Sequence, residues 1–106
     1  MFAKTQDPPY YAVIFTSALQ PDDRQGYETM AAAMNERAAR QPGFLGLESA
    51  RDADGHGITV SYWTDMESIR TWKTDAAHQV AQRKGRESWY AGYRIRICRI
   101  ERDYGL

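Results

Sequence analysis

The stretch YYAVIFTSAL, Tyr10 to Leu19, decides the fold. Read as a β-strand, its alternate residues fall on opposite faces. Tyr10, Ala12, Ile14 and Thr16 share one face, and Tyr11, Val13, Phe15 and Ser17 share the other. Both sets are largely apolar, which is the signature of a strand covered on two sides. Residues 1–9, ending in Asp7-Pro8-Pro9, read as a flexible lead-in to a single domain over residues 10–106.

Downstream of that strand, Tyr27, Met30, Ala31, Met34 and Ala38 recur at helical spacing and form one apolar stripe. Asp22 or Asp23 is placed to cap this helix, and Pro42-Gly43 to stop it. FLGLESARD and GITVSYW then read as two strands joined by a turn at Asp54-Gly55. TDMESIRTW opens on Thr64-x-x-Glu67, a capping-box pattern, with Met66, Ile69 and Trp72 facing inward. Thr74 or Asp75 is placed to cap a second short helix over AAHQVAQRKG, ending at Gly85. In the last strand, SWYAGYRIRICRIERD, Tyr93, Ile95 and Ile97 alternate with Arg94 and Arg96. Cys98 and Ile100 then switch the apolar phase, which predicts a bulge or a change of neighbours.

The order strand, helix, strand, strand, helix, strand predicts a ferredoxin-like α+β domain, a four-stranded antiparallel sheet with both helices on one side. Such helices cover only one face, yet the first strand is apolar on both. An apolar second face left in water would be adhesive. A two-fold homodimer with its sheets face to face covers it.

Composition narrows the function. Fourteen Lys and Arg balance fourteen Asp and Glu, which argues against non-specific nucleic-acid binding. The single cysteine, Cys98, excludes an intrachain disulfide and any multi-cysteine zinc site. It fits a reducing compartment. MFAKTQDPPYY lacks the basic start and apolar run of a signal peptide. No apolar run approaches the roughly 20 residues of a membrane span. The expectation is a cytoplasmic protein without membrane or nucleic-acid partners. No Gly-rich phosphate loop, metal-ligand cluster or Ser-His-Asp set stands in the sequence.

Three segments carry a resemblance: QPGFLGLES after the first helix, ITVSYWTDMESIRTWKTDAAHQVAQRKG through the second helical region, and WYAGYRIRICRIERDYGL at the end. A Tyr-Trp strand end, a Trp on the next helix, a His soon after, a stopping Gly and an aromatic-rich last strand follow in order. With these features the chain resembles the antibiotic biosynthesis monooxygenase superfamily of small dimeric α+β barrels, from about Tyr11 to the C-terminus. The resemblance implies a homodimer with a cavity beside the helices. It implies one of three activities: a cofactor-independent oxygenase of anthrones or quinols, a heme-binding or heme-degrading protein, or a non-catalytic binder of small hydrophobic ligands. Fold alone does not choose among them.

The candidate residues follow from that reading. His78 is the proton acceptor in the first alternative, with Asp75 three residues earlier able to orient it, and the axial ligand in the heme alternative. Its structural reading is an exposed helix histidine. Trp72 is the candidate for stacking on a flat substrate, or else a core anchor. It stands six residues before His78, which on a continuous helix is about 120° around the axis; a helix break at Thr74 would bring the two together. Tyr62 is the candidate hydrogen-bond donor. Phe15, Trp63, Trp89 and Tyr93 are the candidate lining residues, against core or dimer packing. Tyr90 offers a further hydroxyl, and Arg94, Arg96 and Arg99 could clamp an anionic oxygen if any points inward. His56 reads as exposed in the hairpin turn. The heme-degrading relatives use an Asn on the first strand, where this chain offers Thr16 and Ser17, so heme is the second expectation and no cofactor the first.

Overall fold

The computed structural model describes residues 2–21, 24–82 and 89–106, with side chains for all of these except 78–82. Its elements run β1 (Tyr10–Leu19), α1 (Arg24–Ala39), β2 (Phe44–Arg51), β3 (His56–Trp63), α2 (Met66–Gln82) and β4 (Tyr90–Ile100). The sheet is antiparallel with strand order β2-β3-β1-β4. This is the ferredoxin-like α+β fold expected from the element order, and β1 takes a central position, as its two apolar faces require.

Register assigns each face. Val13 pairs with Ser61 and Ile97, and Phe15 with Thr59 and Ile95, so these residues share a face with Trp63 and Tyr93. Both helices pack there. Trp72 of α2 stacks on Trp63, with ring centroids 6.2 Å apart, and Tyr27 of α1 meets Tyr90 edge-on at 5.7 Å. Trp63 is wholly buried, closed on a second side by Phe44. Its indole N–H donates to the Ser61 hydroxyl at 2.9 Å, which satisfies the one polar atom that such burial would otherwise strand. Met30, Ala38 and Ile69 complete the buried helix side.

The outer face carries Ala12, Ile14, Tyr62, Val60 and Ile58. At its Tyr10 end it is closed by the chain's own ends. The Ala3 amide donates to Glu48 at 2.9 Å, Tyr62 donates to the same carboxylate at 2.7 Å, and the Tyr10 hydroxyl donates to Asp103. Tyr10 and Ala12 are buried in consequence. The other end stays open, with Ile58 51% exposed.

Two local expectations need correcting, and a third is decided between its two alternatives. The second helical region is one helix, not two: α2 runs unbroken through Thr74 and Asp75. The Thr74 hydroxyl bonds back to the Arg70 carbonyl at 3.3 Å, a mid-helix arrangement. The cap of α2 is Asp65 rather than Thr64. Its carboxylate accepts the Ser68 amide at 2.7 Å, while the Thr64 hydroxyl only supports that carboxylate. In β4 the register is unbroken through Cys98 and Ile100, and the irregularity lies at the other end, where Ala91 is an extra residue between the Ala18–Gly92 and Leu19–Tyr90 pairs. The phase switch at Cys98 reflects a change of neighbours: Cys98 and Ile100 turn to the outer face, in the rows of Ala12 with Tyr62 and of Tyr10. The expected α1 caps Asp22 and Asp23, and the α2 stop Gly85, lie outside the described residues.

Candidate active site

The helix layer is narrower than the sheet. Among the described residues α1 lies over β2 and α2 over β3, and α1 reaches β4 where Tyr27 meets Tyr90. Tyr93, Ile95 and Ile97 face the helix side yet remain 63%, 45% and 43% exposed. Among the described residues this leaves an open trough between the helices and β4, with Val13, Phe15, Ile95 and Ile97 on its floor.

One end of the trough is an aromatic cluster. Phe15 lies 5.5 Å from Tyr90 edge-on and 5.6 Å from Tyr93 in a tilted arrangement, and Tyr90 meets Tyr93 at 5.8 Å. The Ala91 bulge makes this possible. Tyr90 and Tyr93 are three residues apart, and on a plain strand that odd offset would put them on opposite faces.

Behind the cluster sits Arg51. Its guanidinium lies under the Tyr27 ring, 5.1 Å from the centroid. It donates to the Gly55 carbonyl at 2.6 Å, to the Ser17 hydroxyl at 2.7 Å and to the Tyr27 hydroxyl at 3.0 Å. Gly57, its cross-strand partner, makes the room: a Cβ there would come within 2.5 Å of the Arg51 Cζ. Ser17 is buried and Arg51 half-buried, so the hydrogen bonds are what make this polar island tolerable. Burial, and next the neighbouring Tyr27 hydroxyl, push the Tyr90 phenol well above its ordinary range, with Arg51 opposing. Tyr90 therefore stays a neutral donor at any physiological pH.

The expected site residues separate into groups. Phe15, Tyr93 and Trp72 are brought to the helix side, Phe15 and Tyr93 in contact and Trp72 against Trp63. Trp63 and Trp89 are buried, so both act in packing, and the Trp89 carbonyl accepts the Gln20 amide at 2.8 Å. Tyr62 does not join Trp72. It precedes the inward Trp63, so strand alternation sends it to the outer face, where Glu48 takes its hydroxyl and its ring meets Tyr10 at 5.9 Å. Burial and then that hydrogen bond push its phenol up to about 12. Position 78 lies on α2, while the His78 side chain is outside the description. With α2 unbroken, positions 72 and 78 stay about 120° apart around the axis. Both Asp75 oxygens are taken by Arg37 of α1, at 2.6 and 3.1 Å, a link between the helices. Arg94 and Arg96 lie on the outer face, in the rows of Thr16 and Ile14, and only Arg99 shares the helix side, exposed.

Arg51 and Tyr27 escape notice as site residues in the sequence alone. A signal was present: Arg51 falls in the inward alternation of Leu47 and Ser49, where a charge is out of place, opposite a glycine able to seat it. A separate hollow of about 640 Å³ lies on the outer face, lined by Thr16, Ala18, Ala50, His56, Ile58 and Gly92 among others. It opens on the sheet side opposite the aromatic cluster and is a feature of that face. Among the described residues no group of three or more His, Cys, Asp or Glu could hold a metal ion.

Residues 10–84 match the model of the family described as antibiotic biosynthesis monooxygenase. The chain belongs to that family. It is 51% identical over 101 residues to the uncharacterised protein YqjZ of Bacillus subtilis strain 168, covering 95% of this chain and 88% of that one. It is 32% identical over 94 residues to the jasmonate monooxygenase ABM of Pyricularia oryzae, covering 85% of this chain but 43% of that longer protein. Among solved structures, PA3566 of Pseudomonas aeruginosa superposes with a TM-score of 0.71 at 15% identity, covering 93% of this chain and 99% of that one. SnoaB of Streptomyces nogalater, a cofactor-independent oxygenase solved as a point mutant, superposes at 0.65 with 16% identity, covering 85% and 90%. These structural likenesses concern the fold.

Proposed function

We propose that this member of the monooxygenase family is a cofactor-independent oxygenase of a small, flat, electron-rich aromatic of the anthrone or quinol type, bound in the trough on the helix side of the sheet. The observation that carries the reading is the aromatic cluster of Phe15, Tyr90 and Tyr93, open to solvent at Tyr93 and backed by the half-buried guanidinium of Arg51. Flat rings stack on such a cluster. A deprotonated anthrone or quinol is itself a strong enough reductant to give an electron to oxygen. The protein then has three tasks: to bind the ring, to take the proton and to stabilise the negative oxygen left behind. For an anthrone the balance is one methylene and one O₂ to one carbonyl and one water. His78 is the proposed base, and Trp72, stacked on Trp63 in the row of Tyr11, closes the other end of the trough. Tyr62, bonded to Glu48 on the outer face, is replaced in the donor role by the tyrosines of the helix side. The jasmonate monooxygenase ABM, 32% identical, supports the monooxygenase reaction class.

Heme is the less suitable ligand. The first strand offers no asparagine, Thr16 faces outward, and Ser17 is already held by Arg51. We further propose that the working unit is a homodimer joined through the outer face, and that it acts in the cytoplasm, consistent with its lone Cys98. Among the described residues no helix is long and apolar enough to cross a membrane.

The test is oxygen uptake with dithranol and with a naphthohydroquinone, in air and under argon. Oxygen-dependent product formation, reduced roughly 100-fold by His78→Ala as expected for loss of a general base, supports the reading. Product formed equally under argon, or full activity in His78→Ala, overturns it. Tight binding of these compounds without turnover would instead make the chain a small-ligand binder.

A further inference from the structure

We infer that Tyr27 and Tyr90, backed by Arg51, form a binding site for an oxyanion carried on a flat ring, so that the ligand of the trough is an aromatic anion rather than a neutral hydrocarbon. This deepens the proposed function and rests on it only for the location of the ligand.

Proton counting points to the site. Arg51 donates to the Tyr27 hydroxyl at 3.0 Å, and Tyr90 stands edge-on to Tyr27 with ring centroids 5.7 Å apart. Two phenols bring two protons, and a bond between them would use at most one. Whichever phenol donates within the pair, the other proton is left for a group outside it. Tyr90 has its ring edge-on to Phe15 and next to Tyr93, so a ring lying on that floor brings its substituent oxygen to the pair. The donor is strengthened because the Arg51 guanidinium polarises the Tyr27 hydroxyl that accepts from it. The hydrogen bonds Arg51 makes among the described residues go to neutral oxygens of Gly55, Ser17 and Tyr27. Its charge is therefore available to the oxyanion through the tyrosines.

The seating of Arg51 is specific. Gly57 below and the Tyr27 ring above hold the guanidinium flat, and a Cβ at position 57 would collide with three of its atoms at 2.5 to 2.9 Å. Arg51 and Gly57 are thus positioning residues. They act on the ligand through Tyr27 and Tyr90 and do not touch it.

Two kinds of probe read this out by titration of the full chain, followed by tyrosine and tryptophan fluorescence. The first sets 2-naphthoate against neutral 2-naphthamide. The second follows 2-hydroxyanthraquinone by absorbance and reports the ionisation of its bound phenol. We expect naphthoate to bind at least about tenfold tighter than the amide at pH 7, or the bound phenol to ionise about one pH unit lower than in water. A carboxylate effect alone and a phenolate effect alone each support the site and identify the oxyanion it takes. Tyr90→Phe, Tyr27→Phe and Gly57→Ala should each bring the anion-to-neutral ratio towards one, while Arg51→Lys keeps part of it. Loss of packing alone would weaken both naphthyl probes and leave their ratio standing. Equal binding of anion and neutral probe together with an unshifted phenol, an unchanged ratio in Tyr90→Phe and Gly57→Ala, or no saturable binding at millimolar probe would each overturn the inference. Oxygen uptake is a separate measurement: an anion preference without turnover sinks the oxygenase reading alone, and turnover without the preference sinks this one alone.

Discussion

Glu48 shows how one residue ties together parts of the chain far apart in sequence. Its carboxylate accepts the Ala3 amide and the Tyr62 hydroxyl, and these bonds, the amide first, hold it below the ordinary glutamate value of 4.5. The unfolded chain then takes up the proton more readily than the folded one. The stabilisation is fully present above pH about 4.5 and is lost as pH falls through the lowered folded value. In Glu48→Gln the difference in Tm from the parent should be largest near pH 7 and should shrink below about pH 4. A difference that stays constant across that range would show that the charge carries no part of the clasp. Much of the carboxylate is solvated, so the effect is expected to be modest.

The turn between α1 and β2 makes a sharper prediction at the scale of elements. Gly43 has φ +85°, and its carbonyl accepts the Thr64 amide at 2.8 Å. A Cβ there would lie 2.1 Å from the Ser68 hydroxyl at the start of α2. Gly43→Ala should cost about 2 kcal/mol through combined backbone strain and collision, measured as a lower urea midpoint. Ser68→Ala in the same chain should recover only part, because the strain in φ remains. The elements themselves were legible in the sequence. Two apolar faces marked β1, the helical stripe marked α1, and Asp54-Gly55 marked the hairpin. The misreadings came where two local signals compete. Thr74 and Asp75 look like caps in isolation, but Asp75 is drawn sideways to Arg37 and the helix runs on. Thr64 resembles a cap because the true one, Asp65, is its neighbour. The bulge at Ala91 leaves no mark in composition and emerges only when β1 supplies the register. The site suffered most from this. Facing directions in β4 depend on that bulge, and the importance of Arg51 depends on a glycine six residues away that pairs with it across the hairpin.

At the scale of the whole molecule, the open half of the outer face raises the question of partners. Ile14, Ile58 and Val60 share that face, yet the chain's own ends reach only its Tyr10 end. If a second copy covers the remainder, the protein sediments as a dimer at micromolar concentration. Ile58→Arg should then convert it to a folded monomer with unchanged far-UV circular dichroism, because a charge desolvated at a two-fold interface is opposed by its own symmetry mate. A parent protein that sediments as a monomer would mean that the proposed interface does not form.

Ala91 has consequences out of proportion to its size. It acts as a spacer that changes odd to even. Because the bulge takes Ala91 out of the pairing, two tyrosines three positions apart look the same way; drawn into regular pairing, it would set them back to back, and one would be lost to the far side of the sheet. Deleting it would leave an offset of two, which keeps both on one side, so neither substitution nor deletion would disturb them. Inserting one residue beside it would restore the odd count and cost the trough part of its floor.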